Sequence, residues 1–243
     1  MVSLIEGRGT SEQVWQPFLA SLGLPELPCV PVPQRVVVVA PHPDDEILAV
    51  GGLLTLLARA GASVEVVAVT DGEASHPGGS VAPAALSRIR AAETLAALEA
   101  LGEPVEVRRL GLPDGGRDEL ELPVSQALRL QPGTWLVGPW EGDGHPDHEA
   151  VGRACKQSAV RDGARWLSYP VWAWHWATPD QSDLPWQRAA QVRLPEDVRS
   201  SKAAAIRAFA SQTAPLGPLR EDAAVLPPEV LDRFARPFEV VFT

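Results

Sequence analysis

The side chains with the greatest chemical potential fall in two short clusters, Pro41-His42-Pro43-Asp44-Asp45-Glu46 and Asp143-Gly144-His145-Pro146-Asp147-His148. His42 and Asp45 lie three residues apart where the pattern predicts a sharp turn from strand to helix, so both can converge on one point. Imidazole and carboxylate are donors of catalytic zinc sites, in which three protein ligands leave a fourth position for water. A third ligand must come from elsewhere in the chain, and His148, at the start of a later helix, is the best candidate. Asp44, Asp45 and Glu46 repel one another. A helix N-terminus stabilises each exposed carboxylate by only about 0.3–1 kcal/mol, whereas a bound dication offsets the repulsion far better.

Such a centre suits hydrolysis. Bulk water has a pKa near 15.7 and zinc lowers that of its bound water to about 7, a gain of roughly 12 kcal/mol in deprotonation free energy. Asp44, adjacent to ligand Asp45 but free to point at the water, then serves as general base with only modest basicity. His145 could donate to the oxyanion or protonate the leaving amine, with Asp147 or Asp143 orienting the imidazole. An isolated Asp-Asp pair more often caps a helix, but the preceding His-Pro and the distant His-Pro-Asp-His favour chemistry. His76, in a Pro/Gly-rich loop, and His175, in a tryptophan-rich segment, are not assigned to the metal.

The elements that must position these groups alternate. Val36 to Ala40 is a wholly apolar, mostly β-branched run typical of a buried parallel strand, and a helix-like stretch from 45 to 60 follows. Strands are predicted at 64–70, 105–110, 134–138 and 165–169, with helices at 84–101, 118–129 and 147–160. Strand-helix alternation of this kind predicts an α/β fold, a Rossmann-like and mostly parallel sheet with helices on both faces. Ligands bind such sheets beyond the carboxyl ends of the strands, where the loops carry PHPDDE, TDGE, LPDGG and EGDGHPDH. Residues 11–24 read as a short helix that Pro17 should break or kink, and 25–33, with four prolines, as a linker. The main domain is therefore set at 34–243, after an extension of 1–33. No element is assigned over 170–195. Any strand there would place Trp172, Trp174 and Trp176 on one side, as a wall or an interface. A helix over 200–212 and a strand over 238–242 complete the pattern.

Composition bounds the partners. The 243 residues are 45% hydrophobic and 21% charged, with a formal net charge of -10, which suits one globular domain and disfavours nucleic acid as a partner. The least charged stretch, Ile47 to Ala58, falls short of the roughly 20 apolar residues of a membrane span. No secretory pattern opens the chain. Cys29 and Cys155 have no CxxC partner, which suits a reducing compartment. A cytoplasmic protein is expected, with a homo-oligomer left open.

The stretches Ala40-Pro-His-Pro-Asp-Asp-Glu46 and Gly144-His-Pro-Asp-His148 resemble the two signatures of the LmbE/PIG-L family of N-acetylglucosaminyl deacetylase-like hydrolases. Further similar pieces are Val69-Thr-Asp-Gly-Glu73, Arg90 with Glu93, Leu110-Gly-Leu-Pro-Asp-Gly115, and Lys202 with Ser211-Gln212, so the resemblance spans roughly 35–215. It implies zinc, or another divalent metal, on His42, Asp45 and His148, with Asp44 as base and His145 stabilising the tetrahedral oxyanion. It also implies removal of an N-acetyl or related N-acyl group from a small amino sugar or glycoconjugate. Glu46, Arg90, Asp114, Asp143 and Asp147 are expected around this centre, touching substrate or bracing the groups that do. The Arg90–Glu93 spacing equally suits a structural ion pair on a helix.

Two rivals come from other classes. A Rossmann-type nucleotide-binding module would need a G-x-G-x-x-G turn with exposed backbone donors, and Pro-His-Pro-Asp-Asp-Glu would repel a pyrophosphate instead. A catalytically silent sugar-binding or scaffolding protein would not need the full set of groups present here.

Overall fold

The computed structural model describes residues 7–180 and 183–243. After α1 (Glu12–Leu22), the chain alternates β1 (Arg35–Ala40), α2 (Asp45–Arg59), β2 (Ser63–Thr70), α3 (Pro83–Leu101), β3 (Glu106–Leu112), α4 (Glu121–Ala127), β4 (Trp135–Pro139), α5 (Pro146–Asp162) and β5 (Arg165–Tyr169). There follow α6 (Ala173–Trp176), β6 (Ala189–Arg193), α7 (Glu196–Ala208), α8 (Ala210–Thr213), α9 (Pro228–Leu231) and β7 (Phe238–Phe242). The sheet has seven strands in the order β3-β2-β1-β4-β5-β7-β6. The first five strands pair in parallel, and β7 runs antiparallel to both β5 and β6.

Both faces of the sheet are covered. Val36 and Val38 pack into a core that includes α2 and α1, while Val37 and Val39 pack against Leu120, Val124, Val151 and Cys155 from α4, α5 and the turn before α4. Alternation of side chains along a strand produces this division, and burial on both faces is why β1 reads as an unbroken run of valines. The chain moves outward from β1 through β2 to β3, then returns to place β4 on the other flank of β1. A crevice for ligands opens at such a reversal.

Several details differ from the sequence-based expectations. Pro17 lies inside α1 without breaking it. Trp15 is fully buried there and donates from Nε1 to the Trp174 carbonyl at 2.8 Å, so the helix is fastened by tertiary packing that outweighs propensity. Helix α2 is kinked, with Val50 at φ -138° and ψ 18°. The amides of Gly52 and Leu53 donate to the buried Glu239 carboxylate at 2.7 and 2.8 Å, and Lys202 Nζ meets the same carboxylate at 2.7 Å. The expected helix over 200–212 is two helices, α7 and α8, separated at Phe209 (φ -81°, ψ 57°). The tryptophans at 172, 174 and 176 stand on a helical turn rather than a strand, so they point apart: Trp174 into the core, Trp176 to the Asp143 carbonyl and Trp172 into a cavity. Strand β6 escaped the sequence reading, and the Pro25–Leu27 segment pairs with Gln191 within it.

Candidate metal and catalytic centre

The loops after β1 and β4 flank the reversal of strand order and bring the two acidic-histidine clusters together. Asp44 is the pivot of the first loop. Its φ of 125° is one of two positive values among described non-glycine residues, a conformation that costs an L-residue energy and recurs at functional sites. Its side chain makes no capping hydrogen bond to α2, so helix capping does not account for this carboxylate. The turn is braced from beneath, because the Asp44 amide donates to Glu46 Oε2 at 3.2 Å.

Three donor atoms converge. His42 Nδ1 and His148 Nε2 are 3.2 Å apart, His148 Nε2 and Asp45 Oδ2 are 3.2 Å apart, and His42 Nδ1 and Asp45 Oδ2 are 3.5 Å apart. Metal–ligand bonds of about 2.0–2.1 Å in a tetrahedral site place neighbouring donors about 3.3 Å apart. The triangle therefore fits one divalent ion, with open space on the cavity side. His145 also approaches, with one ring nitrogen in a cluster with those of His42 and His148 spanning at most 4.8 Å.

The opposite nitrogen of each converging imidazole has a carboxylate partner. His42 Nε2 lies 3.3 Å from both Asp114 Oδ1 and Asp147 Oδ2, and His148 Nδ1 lies 2.8 Å from Asp143 Oδ2. Such partners fix the tautomer, placing the proton on the far nitrogen and the lone pair toward the metal. The carboxylates are held in turn by backbone amides. Asp147 accepts from Gly115 and Arg117 at 2.9 and 2.8 Å, Asp114 accepts from Ala74 at 2.8 Å, and Asp143 accepts from Val171, Trp172 and Ala173, each at 2.9 Å.

This concentration of charge perturbs the three converging groups. Burial opposes the charged form of His148, yet Asp45 and Asp143 outweigh it and raise its pKa to about 9. His42 is likewise raised against burial by its hydrogen bonds to Asp114, Asp147 and Asp45. Burial would also raise Asp45, but the two imidazoles hold it well below the usual carboxylate range. The protons on these rings stand where a metal cation would be.

Asp44 and His145 behave differently. Burial, reinforced by the charges of Asp45 and Glu46, pushes Asp44 well above an ordinary aspartate, which makes it a stronger base. Burial and the neighbouring His42 and His148 press His145 down to about 3, so it is neutral near pH 7. The Asp147 amide donates to His145 Nδ1 at 3.3 Å. The single ring proton therefore sits on Nε2, as a donor. Burial raises Glu46 to about 8, and this residue supports the Asp44 turn rather than lining the cavity.

The cavity, about 240 Å³, is lined on its polar side by His42, Asp44, Asp45, Arg90, Asp114 and His145, and on its apolar side by Leu48, Val171, Trp172, Val225 and Leu226. Arg90 is almost fully buried and donates from Nη1 to the Gly72 carbonyl at 2.6 Å, while its Nε and Nη2 find no partner among the described residues. Glu93 does not take it. That carboxylate receives the Ser211 amide and hydroxyl at 2.7 and 2.6 Å instead, leaving Arg90 directed toward the cavity. Gln212, which the sequence reading did not assign to the site, lines the same cavity and donates to the Pro43 carbonyl beside Asp44. Its signal was present in the Ser211-Gln212 pair without indicating a role.

Comparison with known proteins places the chain in a family. The family model described as PIG-L, GlcNAc-PI de-N-acetylase, matches residues 37–159. The chain is 31% identical to a diacetylchitobiose deacetylase of Thermococcus kodakarensis over 49% of this chain and 46% of that protein, and so spans less than half of that relative. It is 28% identical to the 1D-myo-inositol 2-acetamido-2-deoxy-alpha-D-glucopyranoside deacetylase of Rhodococcus erythropolis over 74% of this chain and 81% of that one. Among solved structures, a conserved protein of Thermus thermophilus aligns with a TM-score of 0.57 at 28% identity, covering 82% of this chain and 84% of its own. The A40926 pseudoaglycone deacetylase shares the fold at a TM-score of 0.62 and 21% identity, over 86% and 96% of the two chains.

Proposed function

The chain belongs to the PIG-L family, and from that premise we propose that it is a metal-dependent N-deacetylase, removing an acetyl or related acyl group from the nitrogen of an amino sugar or glycoconjugate. The observation that carries the reading is the convergence of His42 Nδ1, Asp45 Oδ2 and His148 Nε2 within 3.2–3.5 Å of one another, in the same cavity as Asp44 and His145. These three residues would hold the metal, zinc by donor type or another divalent ion. When bound there, it would supply Lewis-acid polarisation of the amide carbonyl and acidify the attacking water.

The remaining chemistry falls to the protein. Asp44 accepts the proton of the attacking water, and its raised basicity favours that transfer. The Nε2–H of neutral His145 donates to the carbonyl oxygen as negative charge develops, acting as an oxyanion donor rather than as an acid, because its depressed pKa leaves no second proton to give. The proton held by Asp44 then passes to the amine nitrogen as the C–N bond breaks, so water and amide become a carboxylic acid and an amine, which near pH 7 stand as carboxylate and ammonium with atoms and charge balanced. Arg90, with two unpaired donor positions, is suited to hold substrate hydroxyls, and Asp114 lies beside it on the cavity wall.

Amine release from a panel of N-acetyl amino sugars, with and without chelator, tests the reading alongside metal analysis of the purified protein. Chelation should abolish release, and re-addition of a divalent metal should restore it. Release that is indifferent to chelation would overturn it. Two free cysteines with no disulfide favour a reducing compartment such as the cytoplasm as its place of action, and no described helix is long and apolar enough to cross a membrane.

A further inference from the structure

Above the centre two loops meet. One, residues 71–82, joins β2 to α3, and the other, residues 214–227, follows α8. They are fastened to each other around one side chain, Asp222. Its Oδ1 accepts the Ser80 amide and its Oδ2 the Ser80 hydroxyl, both at 2.6 Å, while Oδ2 also accepts the Leu219 amide at 3.1 Å. The Asp222 carbonyl takes the Leu216 amide at 2.9 Å. His76 adds a third tie. It accepts from the Ser75 hydroxyl at Nδ1 (2.7 Å) and donates from Nε2 to the Ala223 carbonyl (3.1 Å).

The two glycines beside this carboxylate show how close the approach is. A Cβ on Gly79 would stand 2.8 Å from Asp222 Oδ1, and one on Gly217 would stand 2.5 Å from Oδ2. Asp222 is wholly inaccessible to solvent, yet it is covered only by these two loops rather than by any depth of protein.

What the tie holds in place faces the substrate. Three residues beyond Asp222 the chain presents Val225 and Leu226 to the cavity, and the first loop presents Ala74 and Ser75. Leu226 is fixed at its amide by the Gln212 carbonyl at 2.9 Å. Trp172 lines the same cavity, its ring 6.3 Å from that of His145 at an interplanar angle of 25°. The charged groups of the cavity come from other elements, and the two loops contribute Ser75 as their one polar side chain to its lining. Sugar hydroxyls would gain few partners on that side, whereas an apolar group would replace water against Trp172, Val225 and Leu226.

Resting on the deacetylase reading above, we infer that Asp222 is the positioning residue of a specificity wall, and that the wall it holds, Val225 and Leu226 facing Trp172, accepts an apolar substituent carried by the amino sugar. The test compares the phenyl and methyl glycosides of 2-acetamido-2-deoxyglucose as substrates. The unaltered protein should prefer the phenyl glycoside through a lower KM. Leu226→Ala and Asp222→Ala should each reduce that preference about tenfold, mostly in KM rather than kcat, with metal content unchanged. Asp222→Asn, which retains an acceptor for the Ser80 amide, should recover part of it. Equal loss on both glycosides, or none, would overturn the wall. Binding of phenyl and methyl glucosaminide, the product forms, measured by calorimetry needs no turnover. A protein that releases no amine but shows the same binding preference and the same response to Leu226→Ala retains the wall and loses the deacetylase reading. Turnover without preference does the reverse.

Discussion

The floor and the roof of the cavity are built on opposite plans. On the floor the imidazoles of His42 and His148 are each held by a carboxylate on the far nitrogen, and each of those carboxylates accepts one to three backbone amides. These loops are short and leave the ends of buried strands. The roof consists of two longer loops whose union centres on the Asp222 carboxylate. Redundant support suits groups that must stay within tenths of an ångström of a reactive geometry. A wall that only has to exclude water and select a shape tolerates fewer ties, here Asp222 with Ser80 and His76 with Ala223. Chemistry and selectivity should therefore separate under mutation.

The largest effect should come from Asp44. Asp44→Ala is expected to lower kcat by about 10³-fold, within the 10²–10⁴ range of general-base catalysis, while the protein retains its metal by elemental analysis. Full activity in this variant would remove the base from the floor altogether. His148→Ala tests the metal itself. It should lose bound metal, and activity with it, because the two remaining donors leave an incomplete site. Asp222→Ala should keep its metal, and loss of metal on altering the roof would break the proposed separation.

An intermediate effect is expected from Asp143, which touches no substrate. Asp143→Ala removes the partner of His148 Nδ1 and the acceptor of three amides at the start of α6. Metal affinity should fall about 10–100-fold, the range for loss of a residue that orients a ligand. Competition with a chelator of known affinity would measure it. An unchanged affinity would show that the backbone alone orients the imidazole.

The floor also carries a pH signature. In the metal-free protein His148 is raised to about 9, so at pH 7 a proton must leave before the metal can bind. Affinity should rise with pH, about tenfold per unit for each proton displaced, until both imidazoles have lost theirs. The same shift has a consequence for stability. A raised histidine stabilises the folded metal-free protein fully below its unfolded pKa of about 6.5, and that contribution is lost as pH climbs through about 9. Thermal melts of chelated protein across pH 6–10 should show the decline, and saturating metal should abolish it.

The floor was legible in the sequence because its chemistry is dense and local. His42 and Asp45 share one turn, His145 and His148 another, and both turns follow runs that read as strands. The parallel core was legible for the same reason, since Val36 to Ala40 can hardly be anything but a buried strand. The roof was not legible. Ser80 and Asp222 are separated by 142 residues, and neither has an unusual neighbour. His76 was set aside from the metal, with no sign that it would join two loops. Long-range capture also hid the kink of α2, whose freed amides are taken by Glu239 at a distance of 187 residues for Gly52. The tryptophan-rich stretch carried no element assignment, because its alternation and its prolines point to no one period, and the helical turn at 173–176 follows three amides gathered by Asp143 from a distant loop.

The smallest effect should come from thinning the roof's anchor without removing it. Ser80→Ala deletes the hydroxyl that reaches Asp222 Oδ2 at 2.6 Å but leaves the Ser80 amide on Oδ1 and the Leu219 amide on Oδ2. One hydrogen bond among several is worth only a modest amount, because the freed carboxylate oxygen keeps a second donor and the loops open slightly to water. KM for the phenyl glycoside should rise severalfold, less than in Asp222→Ala, while kcat and metal affinity stay as they were. Full retention of the phenyl preference would place the strength of the tie in the backbone amides. A fall in kcat would mean instead that the roof reaches down to Asp44, through Gln212 and its hold on the Pro43 carbonyl, and that floor and roof are one device.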